Sequence, residues 1–126
     1  NVLLVDDSIV RGNTSRKIVE IARRAGAKNV YFASTSPPLV APCPYGIDMA
    51  TKKEFIARNR DNNEIAAEVG VDYLMYLELG RMVKAAQTGN PAIDGFCTGC
   101  FTGSYPTEDA VEHLDAIGAD RAASRD

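Results

Sequence analysis

Val2-Leu3-Leu4-Val5-Asp6-Asp7-Ser8-Ile9-Val10-Arg11-Gly12-Asn13-Thr14-Ser15 holds most of what this sequence says about its fold. Four consecutive apolar residues, two of them β-branched, suit a short buried strand of a parallel sheet. Arg11 to Asn13 form a small polar loop. From Thr14 onward apolar residues fall at Ile18, Ile21, Ala22 and Ala25, which is helical spacing. Thr14 or Ser15 is a candidate N-cap, and Gly26 a C-terminal stop. Val30-Tyr31-Phe32-Ala33 reads as a second strand. Strand, loop, helix and strand within about 35 residues make a βαβ unit, which requires a parallel sheet and a right-handed crossover.

The pattern continues outward from that unit. Pro37, Pro38, Pro42 and Pro44 make Thr35 to Gly46 an irregular loop, because proline lacks the amide donor that a central strand needs. Thr51-Lys52-Lys53-Glu54 has the form of a capping box and predicts a short helix through Ala57. Asn63 to Val69 predicts another, closed by Gly70. Tyr73 to Leu77 predicts a third strand and Leu79 to Ala86 a third helix; Gly89 to Gly95 is turn-rich. The tail from Thr107 is polar and rich in Ala and Asp, and is expected to fray. The expectation is an α/β fold of three parallel strands with crossover helices over residues 1–106, then a polar tail over 107–126.

Composition bounds the function. With 126 residues, 45% apolar and 25% charged, this is the make-up of an ordinary globular domain rather than of a disordered tail. No run of about 18 apolar residues exists to cross a membrane as a helix. Fourteen basic against 17 acidic residues leave a net charge of −3, so there is no basic field for a nucleic-acid partner. The chain opens on Asn1 directly at an apolar run, without a charged leader, and is expected to begin inside a domain. Three cysteines are an odd number, which favours reduced thiols in a cytoplasmic protein, free or metal-bound, over a disulfide framework.

In open α/β sheets ligands sit beyond the carboxyl ends of the strands, which is where Asp6 and Asp7 fall. Neighbours in a strand point to opposite faces, so both acids can serve one ligand only if the chain leaves the strand there. Ionised carboxylates only accept hydrogen bonds, and a pair suits the two hydroxyls of a ribose diol or a magnesium ion with its waters. Arg11 to Ser15 then enter a helix N-terminus, whose free amides and dipole attract an anion such as phosphate. Gly12 permits close approach of the backbone, and Thr14 and Ser15 add hydroxyl donors. Diol-binding acids followed by a phosphate cradle describe a ribose 5-phosphate site. The plain alternative is two turn aspartates and an N-cap.

Other motifs fit less well. The dinucleotide fingerprint needs three glycines after the strand, and only Gly12 is there; the Walker A loop needs Gly-Lys-Ser/Thr, which is absent. A response-regulator receiver also opens with an apolar strand and Asp-Asp-Ser. It needs an acceptor aspartate ending a later strand, and Asp48 follows Pro42, Pro44 and Gly46 instead.

Cys97 and Cys100 form a CxxC pair among Gly95, Gly99 and Gly103, and Cys43 sits between two prolines far upstream. Three thiolates are one short of a four-cysteine zinc or iron–sulfur site. A free redox-active pair or three incidental thiols are the alternatives, although Pro106 does not suit the helix that follows a thioredoxin-like motif. His113, the only histidine, lies in the polar tail and reads as solvated. Tyr73 and Tyr76 read as packing residues, and Arg58, Arg60 and Asp61 as a solvated face.

The Val5 to Thr14 string resembles the phosphoribosylpyrophosphate motif of the type I phosphoribosyltransferases, and its wording is closest to the amidophosphoribosyltransferases. Phe96-Cys97-Thr98-Gly99-Cys100-Phe101-Thr102-Gly103-Ser104-Tyr105-Pro106 and the segment from Pro42 to Met49 resemble the iron–sulfur subgroup of that family. The resemblance implies part of a type I phosphoribosyltransferase domain. The implied reaction transfers glutamine-derived ammonia to carbon 1 of phosphoribosylpyrophosphate, giving phosphoribosylamine and pyrophosphate at the start of purine synthesis. It assigns substrate binding to Asp6, Asp7, Ser8, Arg11, Gly12, Asn13, Thr14 and Ser15, and magnesium to Asp6 and Asp7, with no catalytic acid or base in this segment. It makes Cys43, Cys97 and Cys100 three of four ligands of a 4Fe–4S cluster. It also implies glutamine handled by an N-terminal domain absent here, purine nucleotides as inhibitors, a homo-oligomer, and little activity from this segment alone. A non-catalytic phosphoribosyl-nucleotide-binding regulatory module of the same fold is the alternative.

Overall fold

The structure is a computed structural model and describes residues 1–45 and 53–114. Three strands, β1 (Val2–Asp6), β2 (Val30–Ser34) and β3 (Tyr73–Tyr76), form a parallel sheet in the order β1-β2-β3. Helix α1 (Asn13–Arg24) connects the first pair and α2 (Asn62–Val69) lies between β2 and β3; α3 (Leu79–Gly89) and the single-turn α4 (Gly99–Thr102) follow. The parallel α/β reading therefore holds, with every expected strand in place.

The register sorts the side chains. Leu4, Phe32 and Leu74 share one row, and Asp6, Ser34 and Tyr76 the next row on that face. Val19 of α1 and Ile65, Ala66 and Val69 of α2 pack there with Val30, Phe32 and Leu74 to form the main core. The opposite rows, Leu3–Tyr31–Tyr73 and Val5–Ala33–Met75, carry no helix among the described residues. Leu3 and Val5 are 60% and 63% exposed. The apolar run at Val2–Val5 thus forms a strand buried on one face only, not on both as its composition suggests.

Helix α1 also turns differently from its simplest pattern. Ser15 and Val19 face inward, whereas Ile21 lies 66% exposed. Neither Thr14 nor Ser15 caps it. The N-cap is Gly12, in the left-handed region at φ 77°, with no side-chain cap. A left-handed entry turns the chain sharply into the helix, so Thr14 and Ser15 fall within its first turn. At the far end Arg23 donates to the carbonyls of Lys28 and Gly70 and to Asp72 Oδ2 at 2.7 Å. The same Asp72 oxygen accepts the Val30 amide at 2.7 Å, tying α1 to the start of β2 and to the approach to β3.

Three local expectations are corrected. Residues 53–54 and 56–59 form turns, not a helix through Ala57. There Phe55, Ile56 and Ala57 are buried against the rest of the fold, and burial overrides local preference. The capping box operates at Asp61, which accepts from the amides of Asn63 and Glu64 while Glu64 accepts from the Asp61 amide. Asp61 is thus a helix cap, on the exposed face that Arg58, Arg60 and Asp61 were expected to form. The polar tail is partly docked: residues 110–114 are helical, with Ala110 and Leu114 buried. Thr51 and Lys52, the Gly46 to Met49 stretch and residues 115–126 lie outside the described residues. No helix among the described residues is long and apolar enough to cross a membrane.

Candidate functional site

β1 ends at Asp6, and Asp7 stands in the bend just beyond, which is the exit that two acids serving one ligand require. Asp6 Oδ1 accepts the Asp7 amide at 2.9 Å, and Asp7 Oδ1 accepts the Ser8 hydroxyl at 3.1 Å. Asp6 is half-buried and Asp7 exposed. The Thr35 amide donates to the Asp6 carbonyl at 2.9 Å, so the end of β2 fixes the bend. Ile9 then buries completely, and the chain returns to the surface at Arg11 before Gly12 starts α1.

The second half of the site is the α1 entry. No side chain caps it and no acidic residue lies in its first turn, which leaves its positive end open to an anion. Asn13 and Thr14 are exposed; Ser15 is buried at 3% exposure, which makes it a packing residue as much as a donor. Arg11 lies beside the loop, its Nε 3.1 Å from Glu54 Oε1. The fold therefore gathers Asp6, Asp7, Ser8, Arg11, Gly12, Asn13, Thr14 and Ser15 into one continuous turn at the carboxyl edge of the sheet.

Two carboxylates suffice for a magnesium ion that keeps several waters and takes further oxygens from a phosphorylated substrate. The donor set at Asp6 and Asp7 fits that mode. No described group of three or more His, Cys, Asp or Glu is placed to hold a metal ion through protein ligands alone.

The cysteines form a separate centre. Cys100 lies in α4, and its carbonyl accepts the amides of Val40 and Ala41 at 2.9 and 3.1 Å, pinning the loop that leads to Cys43. Tyr105 donates its hydroxyl to the Pro42 carbonyl at 2.6 Å and meets Tyr45 edge-on, centroids 6.4 Å apart. Tyr105 also fills the space where a Gly99 side chain would stand, so glycine is required between the two cysteines. Burial pushes the Cys100 thiol up, and the charges of Cys43 and Cys97 act in the same direction. Three thiols are one short of a four-thiolate cluster, and among the described residues they do not form a group placed to hold a metal ion.

Sequence reasoning missed the tissue between the two centres. Leu39 and Phe55 pack with Val10, Cys100 and Phe101, so one small apolar cluster joins the loop before α1 to the cysteine turn. The signal was present in the Phe55-Ile56-Ala57 run but resembled a short helix. Tyr76 packs against the core as expected, yet its buried hydroxyl has no partner among the described residues, and burial raises its pKa to about 12. His113 is exposed, as expected.

No protein-family model matches the chain. It is 53% identical over 122 residues to an amidophosphoribosyltransferase of Pasteurella multocida, covering 96% of this chain and 24% of that protein. The Methanocaldococcus jannaschii amidophosphoribosyltransferase is 52% identical over 113 residues, 90% of this chain and 23% of that protein. Among solved structures, the glutamine phosphoribosylpyrophosphate amidotransferase of Bacillus subtilis, complexed with ADP and GMP, superposes with a TM-score of 0.76 at 45% identity. That match covers 86% of this chain and 24% of that one. The chain is thus homologous to a segment of the amidophosphoribosyltransferases, shares their fold there, and spans about a quarter of the length of these relatives.

Proposed function

We propose that this chain is the C-terminal part of the phosphoribosyltransferase domain of a glutamine-dependent amidophosphoribosyltransferase, and that it binds phosphoribosylpyrophosphate. The observation that carries the reading is the acid pair leaving β1 into an uncapped helix entry at Gly12. Asp6 and Asp7 accept from the ribose hydroxyls and favour the cationic, oxocarbenium-like sugar that forms as pyrophosphate departs. Asn13, Thr14 and Ser15, with the Gly12 backbone, hold the 5-phosphate and fix carbon 1 for attack by ammonia. Ammonia's lone pair forms the new C–N bond as the bond from carbon 1 to the pyrophosphate oxygen breaks. Asp6 and Asp7 would also hold magnesium, which neutralises charge on the leaving group when bound. Nucleoside monophosphates share the ribose 5-phosphate group, so purine nucleotides compete for the same loop. The reading places the protein in the cytoplasm, where its thiols stay reduced, and makes it a homo-oligomer.

In the full-length protein, Asp7→Asn is expected to lower phosphoribosylamine synthesis by about 10²–10³-fold, the scale of losing one charge-stabilising group. Glutamine hydrolysis should persist. Unchanged synthesis would sink the assignment.

Cys43, Cys97 and Cys100 serve as three ligands of a 4Fe–4S cluster whose role is structural, holding α4 against the loop of Cys43. The fourth ligand comes from the part of the protein beyond this chain. Purified without air, the full-length protein should be brown, and Cys100→Ser should lose both the colour and thermal stability. Colourless wild-type protein, with no iron by elemental analysis, would remove the cluster and leave the sugar-phosphate reading intact, since the two rest on separate residues.

A further inference from the structure

The phosphate loop is not held by its own side chains. Gly12 has the left-handed φ of 77° and α1 has no side-chain cap, so the geometry of the loop must be imposed from elsewhere. It is imposed by a short segment far along the chain. The Ile56 amide donates to the Val10 carbonyl at 2.9 Å. Glu54 Oε1 stands 3.1 Å from Arg11 Nε. A Cβ on Gly12 would stand only 2.5 Å from Ile56 Cδ1. Three successive loop residues, Val10, Arg11 and Gly12, are thus each engaged by the segment from Glu54 to Ile56.

Ile56 is the centre of this contact. It is 3% exposed, and its own carbonyl accepts Arg60 Nη1 at 3.1 Å, so both of its backbone polar groups are engaged. Phe55, 2% exposed, packs beside it against Val10 and Leu39. A left-handed glycine is the most permissive backbone position available, and it will sample other conformations unless packing forbids them.

We propose that Ile56 is a positioning residue that sets the ribose-phosphate loop in its binding geometry through Gly12 and Val10, without touching the ligand. This rests on the functional reading above. With Ile56 in place the loop is ordered before the ligand arrives. Without it, binding must also order the loop, so affinity falls while the reaction of bound substrate changes little.

The test uses the full-length protein, with GMP as binding probe and phosphoribosylpyrophosphate as substrate. Ile56→Ala should raise the GMP Kd and the KM for phosphoribosylpyrophosphate by about tenfold, with kcat within about twofold, because pre-organisation acts on binding. Glutamine hydrolysis should not move. Ile56→Val, which lacks only the δ-carbon, should give a smaller shift in the same direction, and Ile56→Met, which restores a flexible δ-atom, should recover most of the affinity. If Ile56→Ala does not fold, the graded Val and Met pair decides. Wild-type Kd and KM in the variants would overturn the proposal, as would equal loss of glutamine hydrolysis and transfer, the sign of general unfolding. A wild-type protein that binds neither GMP nor phosphoribosylpyrophosphate would instead refute the functional reading, and the positioning role with it.

Discussion

Asp72 shows how one side chain can bind three elements. Its carboxylate accepts the Val30 amide and the Arg23 guanidinium, and these hold its pKa below the ordinary carboxylate value. A depressed pKa means the folded state binds its proton less tightly than the unfolded chain. The contribution is therefore complete above the unfolded value, near 4, and is lost as pH falls through the folded one. Asp72→Asn should remove part of the acid dependence of unfolding below about pH 4 while leaving the difference between pH 6 and pH 8 unchanged. Urea unfolding of both proteins across that range checks it, and parallel pH profiles would show that the carboxylate carries no linkage. Arg16 and Glu68 make a comparable tie between α1 and α2, on a more exposed surface where such pairs contribute little.

At the scale of elements, α2 is the clearest case of a helix specified by its ends. Asp61 and Glu64 satisfy backbone donors reciprocally, Gly70 closes the helix in the left-handed region, and Ile65, Ala66 and Val69 face the core. Asp61→Ala should cost about 1 kcal/mol, and Asp61→Asn less, because the amide oxygen still accepts. Equal denaturation midpoints for wild type and Asp61→Ala would show that packing alone holds α2. The sequence made β1, α1, β2, α2, β3 and α3 legible, since apolar runs and helical spacing are local signals. It made the acid pair and the polar loop after it legible for the same reason, because they are contiguous, but not the missing cap, since Thr14 and Ser15 both have the form of one. What it hid was non-local. The Thr51–Glu54 pattern and the apolar Phe55-Ile56-Ala57 run look like a helix, but the Ile56 amide is claimed by the Val10 carbonyl, a partner no short window of sequence contains. The four-residue α4 was missed because its turn is fixed by Tyr105 packing on Gly99 rather than by propensity. The inward face of α1 was hidden too, since apolar residues lie on more than one side of it.

Across the molecule, the two faces of the sheet are unequal. One carries α1 and α2; the other shows Leu3, Val5, Tyr73 and Met75, all between 48% and 63% exposed. Apolar patches of this kind on a sheet with an open edge promote association. The 126-residue chain should therefore self-associate in sedimentation velocity experiments, and Val5→Lys with Met75→Lys should shift it toward monomer. A wild-type chain that sediments as a monomer at high concentration would refute this. The contact between Ile56 and Gly12 acts on the same whole-molecule scale, but in time. β1, α1 and β2 can find one another from close neighbours in the chain, and such local structure forms early. The seat beneath Gly12 arrives only after β2 and the proline-rich loop have been passed, and contacts between distant residues are made late. A chain emerging from the ribosome would carry both acids and the whole of α1 for some time before Ile56 followed. Until then it would display the Gly12 turn with no floor beneath it.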